Sequence, residues 1–229
     1  MFHFWEGGTV FRLQRDRRRT RNALPAAVLR LPAGLSLQAG RAVLRAARGA
    51  VPPDAGHSVG CGAAAQGLPA PVPATGICYA EGLAKGLGKP MVNALEKLHR
   101  PNNRTLCFAD VERRTGLIRD HLKLTGEDLQ GKQVVVVDEA IFTGTTLRIV
   151  CQMLREAGAA KVHIAIPTPM SNCRCAQYVL PAMPSLADSM PPSKMLDYFG
   201  ADSLTYIPGQ SFLEIARPSG AVCTDCFEA

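Results

Sequence analysis

Aromatic residues make up only 6% of this 229-residue chain, with a single Trp, so its core must be built from Ala, Val and Leu. Nowhere does an apolar run last the roughly 20 residues that a membrane-spanning helix needs, and the chain is expected to be soluble. Acids are scarce at one end. Residues 1–50 hold ten Arg, no Lys and two acids, while the remainder carries 16 basic against 17 acidic side chains. The net charge of +7 therefore belongs to the N-terminal segment and does not describe a uniformly basic surface. The cluster Arg15, Arg17, Arg18, Arg19 and Arg21 lacks interleaved aromatics, which argues against nucleic-acid binding. No secretory signal accompanies the eight cysteines, so reduced thiols or metal ligands in a cytoplasmic setting are expected, not a disulfide framework.

The chain is long enough for one α/β domain with an appendage. Residues 1–67 form a basic segment with little sustained strand alternation, and the apolar spacing in 27–48 allows a helix interrupted by Pro32 and Gly34. The segment reads as a poorly ordered or divergent arm, with an organellar transit peptide as the alternative. From residue 68 the pattern becomes orderly. A short strand ends over 72–75, a helix covers 76–87, and Gly88-Lys89-Pro90 stops it. Residues 91–95 read as a strand, 99–103 as a loop, and 122–124 as another short strand. Strand 133–137, helix 147–157 and strand 161–166 make a βαβ unit, which favours a right-handed crossover and a mainly parallel sheet.

The sharpest chemistry lies in the run Val134-Val135-Val136-Val137-Asp138-Glu139-Ala140-Ile141-Phe142-Thr143-Gly144-Thr145-Thr146. Four β-branched residues suit a strand covered on both faces, which would deliver two adjacent acids to its carboxyl end. The hydroxylated turn that follows offers three side-chain hydroxyls and clustered backbone N–H groups at the positive end of a helix, where a phosphate is stabilised. No Lys lies between Asp138 and Thr146, which excludes a Walker-type triphosphate loop. Paired carboxylates suit a vicinal diol, and a ribose 5-phosphate fits both halves of the run. The bland alternatives are a strand-capping acid and helix-capping threonines.

This stretch resembles the phosphoribosylpyrophosphate signature of type I phosphoribosyltransferases. Further stretches narrow the resemblance to the phosphoribosyltransferase domain of the glutamine phosphoribosylpyrophosphate amidotransferase family. Val72-Pro73-Ala74-Thr75-Gly76 is similar to its pyrophosphate loop, and Leu95-Glu96-Lys97 through Arg104-Thr105 to its flexible catalytic loop. Lys161-Val162-His163-Ile164, Gly200-Ala201-Asp202-Ser203-Leu204 and Cys223-Thr224-Asp225-Cys226-Phe227 resemble its later strand, its subdomain start and its C-terminal cysteine pair.

The resemblance implies a type I phosphoribosyltransferase fold, an α/β architecture with a five-stranded or similar, mainly parallel sheet flanked by helices. Residues 68–185 would be the core and 186–229 a small C-terminal subdomain. It implies that Asp138 and Glu139 hold the ribose hydroxyls and the Mg²⁺ environment, with Thr75 and Gly76 facing pyrophosphate and Thr75 also near Mg²⁺. Thr143, Gly144, Thr145 and Thr146 would hold the 5-phosphate, with Ala140, Ile141 and Phe142 completing the phosphoribosylpyrophosphate-binding stretch. Lys97, Arg104 and Lys123 would neutralise the departing pyrophosphate, because fixed cations stabilise charge that builds as the ribose C1 becomes cation-like. Ala74 stands where the family has an acid or polar residue, and Glu139 where it has a second Asp, so that carboxylate reaches one methylene further. Cys175, Cys223 and Cys226 match ligands of the family's [4Fe–4S] cluster, with Cys173 or Cys61 to fill the fourth position; reduced thiols or a partial metal site is the alternative.

The implied reaction is attack of ammonia on phosphoribosylpyrophosphate, giving 5-phosphoribosylamine and pyrophosphate in purine synthesis. The family's glutaminase domain has an N-terminal Cys nucleophile, whereas this chain begins Met1-Phe2-His3-Phe4, so glutamine is not expected to be hydrolysed by that route. A glutaminase partner, self-association and inhibition by purine nucleotides are further implications. A non-catalytic phosphoribosylpyrophosphate or nucleotide sensor and an inactive fragment are the competing readings.

Overall fold

The computed structural model describes residues 2–6, 9–13, 63–98, 111–171 and 185–216. Strands β1 (Phe2–Glu6) and β2 (Thr9–Leu13) pair antiparallel, with Glu6 opposite Thr9. The segment read as poor in strand alternation thus begins with a hairpin. The missed signal is Gly7-Gly8, a two-residue glycine connection between short runs rich in β-formers.

A 3₁₀ turn at Ala63–Gln66 leads into β3 (Leu68–Pro71), and helix α1 (Ile77–Leu87) follows. Gly88 closes that helix in the left-handed region at φ 66°, as the Gly88-Lys89-Pro90 stop predicts. Strand β4 (Leu95–Lys97), helix α2 (Val111–His121) and strand β5 (Leu122–Leu124) come next. Then follow β6 (Gln133–Val137), α3 (Thr145–Glu156) and β7 (Lys161–Ile166). The short α4 (Leu186–Ser189), α5 (Pro192–Phe199), β8 (Ser203–Tyr206) and α6 (Gly209–Ala216) complete the order.

The main sheet runs β3-β6-β7-β8 and every pairing in it is parallel. Among the described residues the main sheet has four strands where the resemblance implies five or a similar number. Three strands, β5, β6 and β7, have the bounds read from the sequence. Two are displaced: the strand expected to end over 72–75 ends at Pro71, and the one expected over 91–95 starts at Leu95. At the first, one further backbone bond, Val72 N–H to Val137 O at 2.9 Å, precedes Pro73, which has no N–H to donate; at the second, Val92 N–H bonds to Pro69 O of β3 at 2.8 Å without Val92 joining a strand. Helix α2 was not anticipated, since its apolar positions are few. The stretch from 186 supplies β8 of the main sheet.

Alternation along β6 explains the continuous valine run. Val134 and Val136 pack with Val162, Ile164, Leu204 and the α3 side chains Leu147, Val150 and Leu154. Val135 and Val137 point the other way, into Tyr79, Ala80 and Leu83 of α1 and Phe212 and Ile215 of α6. All four valines are almost fully buried. Two helical layers therefore sandwich the sheet, and neither face of β6 can be polar. No helix among the described residues is long and apolar enough to cross a membrane.

Candidate active site

Pro71 and Val137 are opposite each other in the parallel ladder, so β3 and β6 end side by side at the carboxyl edge of the sheet. The chain leaves β3 toward α1 on one face and leaves β6 toward α3 on the other. Such a divergence at the carboxyl ends of adjacent strands is the position at which open α/β sheets bind ligands. Two backbone bonds fix the loop after β3 against β6: Val72 N–H donates to Val137 O at 2.9 Å, and Gly76 N–H donates to Val72 O at 2.9 Å. The Pro73–Ala74 peptide within this loop is cis.

Asp138 sits at the end of β6 and is 7% exposed. Its Oδ1 accepts from Glu139 N–H at 3.0 Å and from Thr75 Oγ1 at 3.4 Å. Burial, then repulsion from the adjacent Glu139 carboxylate and a side-chain hydrogen bond shared with it, hold the Asp138 carboxyl well above the ordinary carboxylate range, and the hydrogen bonds from Glu139 N–H and Thr75 Oγ1 only partly oppose this. Glu139 Oε2 is buried without a hydrogen-bond partner. Its backbone carbonyl accepts from Thr168 Oγ1 at 3.0 Å, which ties the acidic pair to the end of β7.

Beyond the acids, Ile141 is buried in the core and anchors the loop, and Phe142 O accepts from Leu186 N–H at 2.7 Å. Gly144 adopts φ 72° at the N-cap of α3. Thr143 Oγ1 and Thr145 Oγ1 lie 3.3 Å apart. Thr145 is buried, while Thr143 and Thr146 are half-buried at the mouth of the helix. The loop thus gathers hydroxyls at a helix N-terminus, where the first backbone N–H groups have no partner within the helix, a geometry suited to a phosphate dianion.

Sequence reasoning missed two residues here. Arg114 of α2 is 2% exposed, and its Nη1 donates to Thr143 Oγ1 at 3.1 Å and to Thr145 Oγ1 at 3.4 Å. Among charged residues full burial is rare, but nothing in the adjacent pair Arg113-Arg114 says which one turns inward. Only the packing of α2 on α3 decides it. Tyr198 of α5 was also missed; its hydroxyl donates to Thr143 O at 3.5 Å, and the Arg148 guanidinium lies 5.3 Å from its ring centroid.

The structure brings Thr75 and Gly76 together with Asp138, Glu139 and the 140–146 loop. Lys97 and Lys123 lie on the separate ribbon of β4 and β5, both exposed, where Lys97 opposes Leu122 and Lys123 opposes Glu96. Directly opposed residues share a face, so strand alternation puts the two lysines on opposite sides of that ribbon. Arg104, Cys61, Cys173, Cys175, Cys223 and Cys226 lie outside the described residues. Among the described residues, no group of three His, Cys, Asp or Glu side chains is placed to hold a metal ion.

A parallel sheet whose carboxyl edge carries an acid pair and a hydroxylated anion loop defines a type I phosphoribosyltransferase domain, and residues 70–173 match the phosphoribosyl transferase domain family. More particularly, the relatives it is similar to are amidophosphoribosyltransferases. The chain is 34% identical over 159 residues to the amidophosphoribosyltransferase of Synechococcus elongatus, a match covering 68% of this chain and 32% of that protein. It is 33% identical over 153 residues to the Archaeoglobus fulgidus protein of that name, covering 65% of this chain and 33% of the relative. The glutamine phosphoribosylpyrophosphate amidotransferase of B. subtilis, solved with ADP and GMP, superposes with a TM-score of 0.64 at 27% identity over 85% of this chain and 41% of that one. The chain thus spans about a third of the length of the curated relatives it matches.

Proposed function

We propose that this chain binds phosphoribosylpyrophosphate and transfers its 5-phosphoribosyl group to ammonia, giving 5-phosphoribosylamine and pyrophosphate, the amidophosphoribosyltransferase step of purine synthesis. The observation that carries the reading is the hydrogen bond from Thr75 to Asp138, 63 residues apart in sequence, which joins the pyrophosphate-type loop to the acid pair and its anion loop. Each of these alone is a common local motif. Their meeting at one crevice is what a ligand with a diol flanked by two phosphate groups requires.

In this reading Thr143, Thr145, Thr146 and the N–H groups of α3 hold the 5-phosphate. Asp138 and Glu139 accept hydrogen bonds from the two ribose hydroxyls, which gives the buried, unpartnered Glu139 Oε2 a donor. The loop of Val72 to Gly76 lies beside the pyrophosphate. The reaction breaks the bond from C1 to the pyrophosphate oxygen and forms a C1–N bond, with the excess proton passing from nitrogen to solvent. Charge accumulates on pyrophosphate as C1 loses electron density, and Lys97 and Arg104 are the cations proposed to answer it; Lys123, the third candidate, lies on the opposite face of the β4–β5 ribbon from Lys97. The acid pair also fits a divalent cation: two adjacent carboxyl groups share one buried corner, and one of them resists ionisation. Thr75, Asp138 and Glu139 would hold Mg²⁺, which when bound adds positive charge beside the leaving group. Since the B. subtilis relative was solved with ADP and GMP, purine nucleotides are proposed as inhibitors that occupy the same phosphate loop.

Pyrophosphate release from phosphoribosylpyrophosphate and Mg²⁺ should be measured with ammonia, with glutamine and with neither. Release that depends on ammonia and is lost in Asp138→Asn is the expected result. No binding of phosphoribosylpyrophosphate by the parent chain, or equal binding by Asp138→Asn, would overturn the assignment.

A further inference from the structure

The anion loop from Asp138 to Thr146 contains neither Lys nor Arg, so its own sequence brings no cation to a phosphate. The structure supplies one from behind. Arg114 rises from α2, more than twenty residues earlier in the chain, and a single guanidinium nitrogen spans the two threonine hydroxyls, one at each end of Gly144. We infer that Arg114 is the positioning cation of the 5-phosphate loop, an inference that rests on the phosphoribosylpyrophosphate reading above.

Proton accounting gives this arm its direction. A hydroxyl carries one proton to donate and can accept twice. Both threonine oxygens accept from Arg114, so each keeps its own proton. One of those protons can serve the other threonine across 3.3 Å. The second must find an acceptor outside the trio, on the side away from the guanidinium. That acceptor is a phosphate oxygen. Arg114 therefore acts on the ligand through the threonines: it turns the hydroxyls into donors and adds a buried positive charge to the positive end of α3. Because the guanidinium is 2% exposed, water screens this charge far less than it would a surface Arg.

Ribose 5-phosphate and Mg²⁺-pyrophosphate should be titrated separately by calorimetry into the parent chain, Arg114→Gln and Arg114→Lys. Arg114→Gln should bind ribose 5-phosphate about ten- to a hundredfold more weakly, as expected for loss of charge-assisted hydrogen bonds. Arg114→Lys, which keeps the charge, should recover most of that loss, and Mg²⁺-pyrophosphate affinity should stay within about twofold in both variants, which also reports that the fold is intact. Equal ribose 5-phosphate binding by Arg114→Gln and parent would overturn the role of Arg114 while leaving the proposed function standing. Parallel loss of both ligands in Arg114→Gln, or no rescue by Lys, would reduce Arg114 to a structural residue and likewise overturn it. A parent chain that binds neither ligand would remove both readings.

Discussion

A β-carbon on Gly76 would lie 2.2 Å from the carbonyl oxygen of Val137 and 2.9 Å from that of Val72. Gly76 has an ordinary helical conformation, at φ −71° and ψ −15°, so what excludes a side chain is space and not backbone strain. The close approach is what lets α1 start directly against the end of β6, with Thr75 brought to the Asp138 carboxyl. Gly76→Ala should therefore destabilise the chain by roughly 1–3 kcal/mol, as overpacking does, and weaken Mg²⁺-pyrophosphate binding in parallel. Urea denaturation and calorimetry check the two effects. Stability and binding both equal to the parent would show that the loop relaxes freely away from β6.

Asp138 should oppose folding while serving the site. Its carboxyl is held well above the ordinary range by burial and by Glu139, so over the window from its unfolded pKa near 3.8 up to its raised folded value the native state binds more protons than the unfolded one. Stability then falls as pH rises through that window. Asp138→Asn removes the penalty, and the variant should melt higher than the parent at neutral pH while losing phosphoribosylpyrophosphate. For the parent, affinity for phosphoribosylpyrophosphate with Mg²⁺ should rise with pH as Asp138 gives up its proton. Paired melting and titration series across pH read both signs. A variant less stable than the parent at neutral pH would contradict the burial argument.

Gly144 is a different case from Gly76, since both its backbone and its surroundings demand glycine. Its φ of 72° is unfavourable for any residue with a β-carbon, and that carbon would approach Leu186 Cδ2 to 2.9 Å and Phe199 Cε1 to 3.0 Å. Gly144→Ala should cost about 1–3 kcal/mol and push the first turn of α3 off α4 and α5. Ribose 5-phosphate binding should drop more than Mg²⁺-pyrophosphate binding, because only the former uses that turn. The reverse order in a calorimetric comparison would contradict the placement of the phosphate.

How much of this was legible in the sequence depended on whether local or distant residues decide the structure. The valine run, the acid pair and the threonine turn are contiguous, and the bounds of β6 and β7 follow from them. Helix α3 starts two residues earlier than the apolar spacing predicts, because Gly144 and not an apolar position opens it. Helix α2 escaped because its exposed charged residues mask a short apolar contact made by Ile118. Arg114 escaped with it: a buried guanidinium is defined by the partner helix and the threonines it reaches, none of which is near it in sequence. The place of β8 at the sheet edge was hidden for the same reason, since parallel pairing leaves no local turn signature.

Asp202 joins the start of β8 to the start of β7. Its Oδ2 accepts from Val162 N–H at 2.8 Å and from Arg155 Nη2 at 2.5 Å. Burial pushes its carboxyl up, but the Val162 hydrogen bond and Arg155 outweigh that, and the net result lies below the ordinary range. The unfolded state then takes up the proton first, so this contribution is complete above the unfolded pKa and is lost as pH falls through the folded one. Asp202→Ala should cost about 1–3 kcal/mol at neutral pH, mostly from the abandoned Val162 N–H, with the half-exposed ion pair adding little. Asp202→Asn keeps an acceptor and should cost less. The gap between parent and Asp202→Asn should close in acid, and denaturation curves at neutral and acid pH test this; a gap independent of pH would leave the carboxylate without a role.

Lys97 and Lys123 offer the test that separates the two halves of the proposed chemistry. Both are exposed on the β4–β5 ribbon, and their register puts them on opposite faces, with Lys97 on the side of Leu122 and Lys123 on the side of Glu96. A single leaving pyrophosphate can meet one face only. Lys97 directly precedes the segment that leads to Arg104, and Lys123 has an acid opposite it that can satisfy its charge at the surface. Lys97→Ala should therefore slow ammonia-dependent pyrophosphate release about a hundredfold, the effect of removing one cation from a developing negative charge, with a smaller change in KM for phosphoribosylpyrophosphate. Lys123→Ala should change the rate by less than about threefold, the scale of an exposed ion pair. Steady-state kinetics with each variant decides between them: equal large losses would mean that the ribbon rearranges to bring both lysines to the ligand, and a loss in Lys123→Ala alone would transfer the role to the other face.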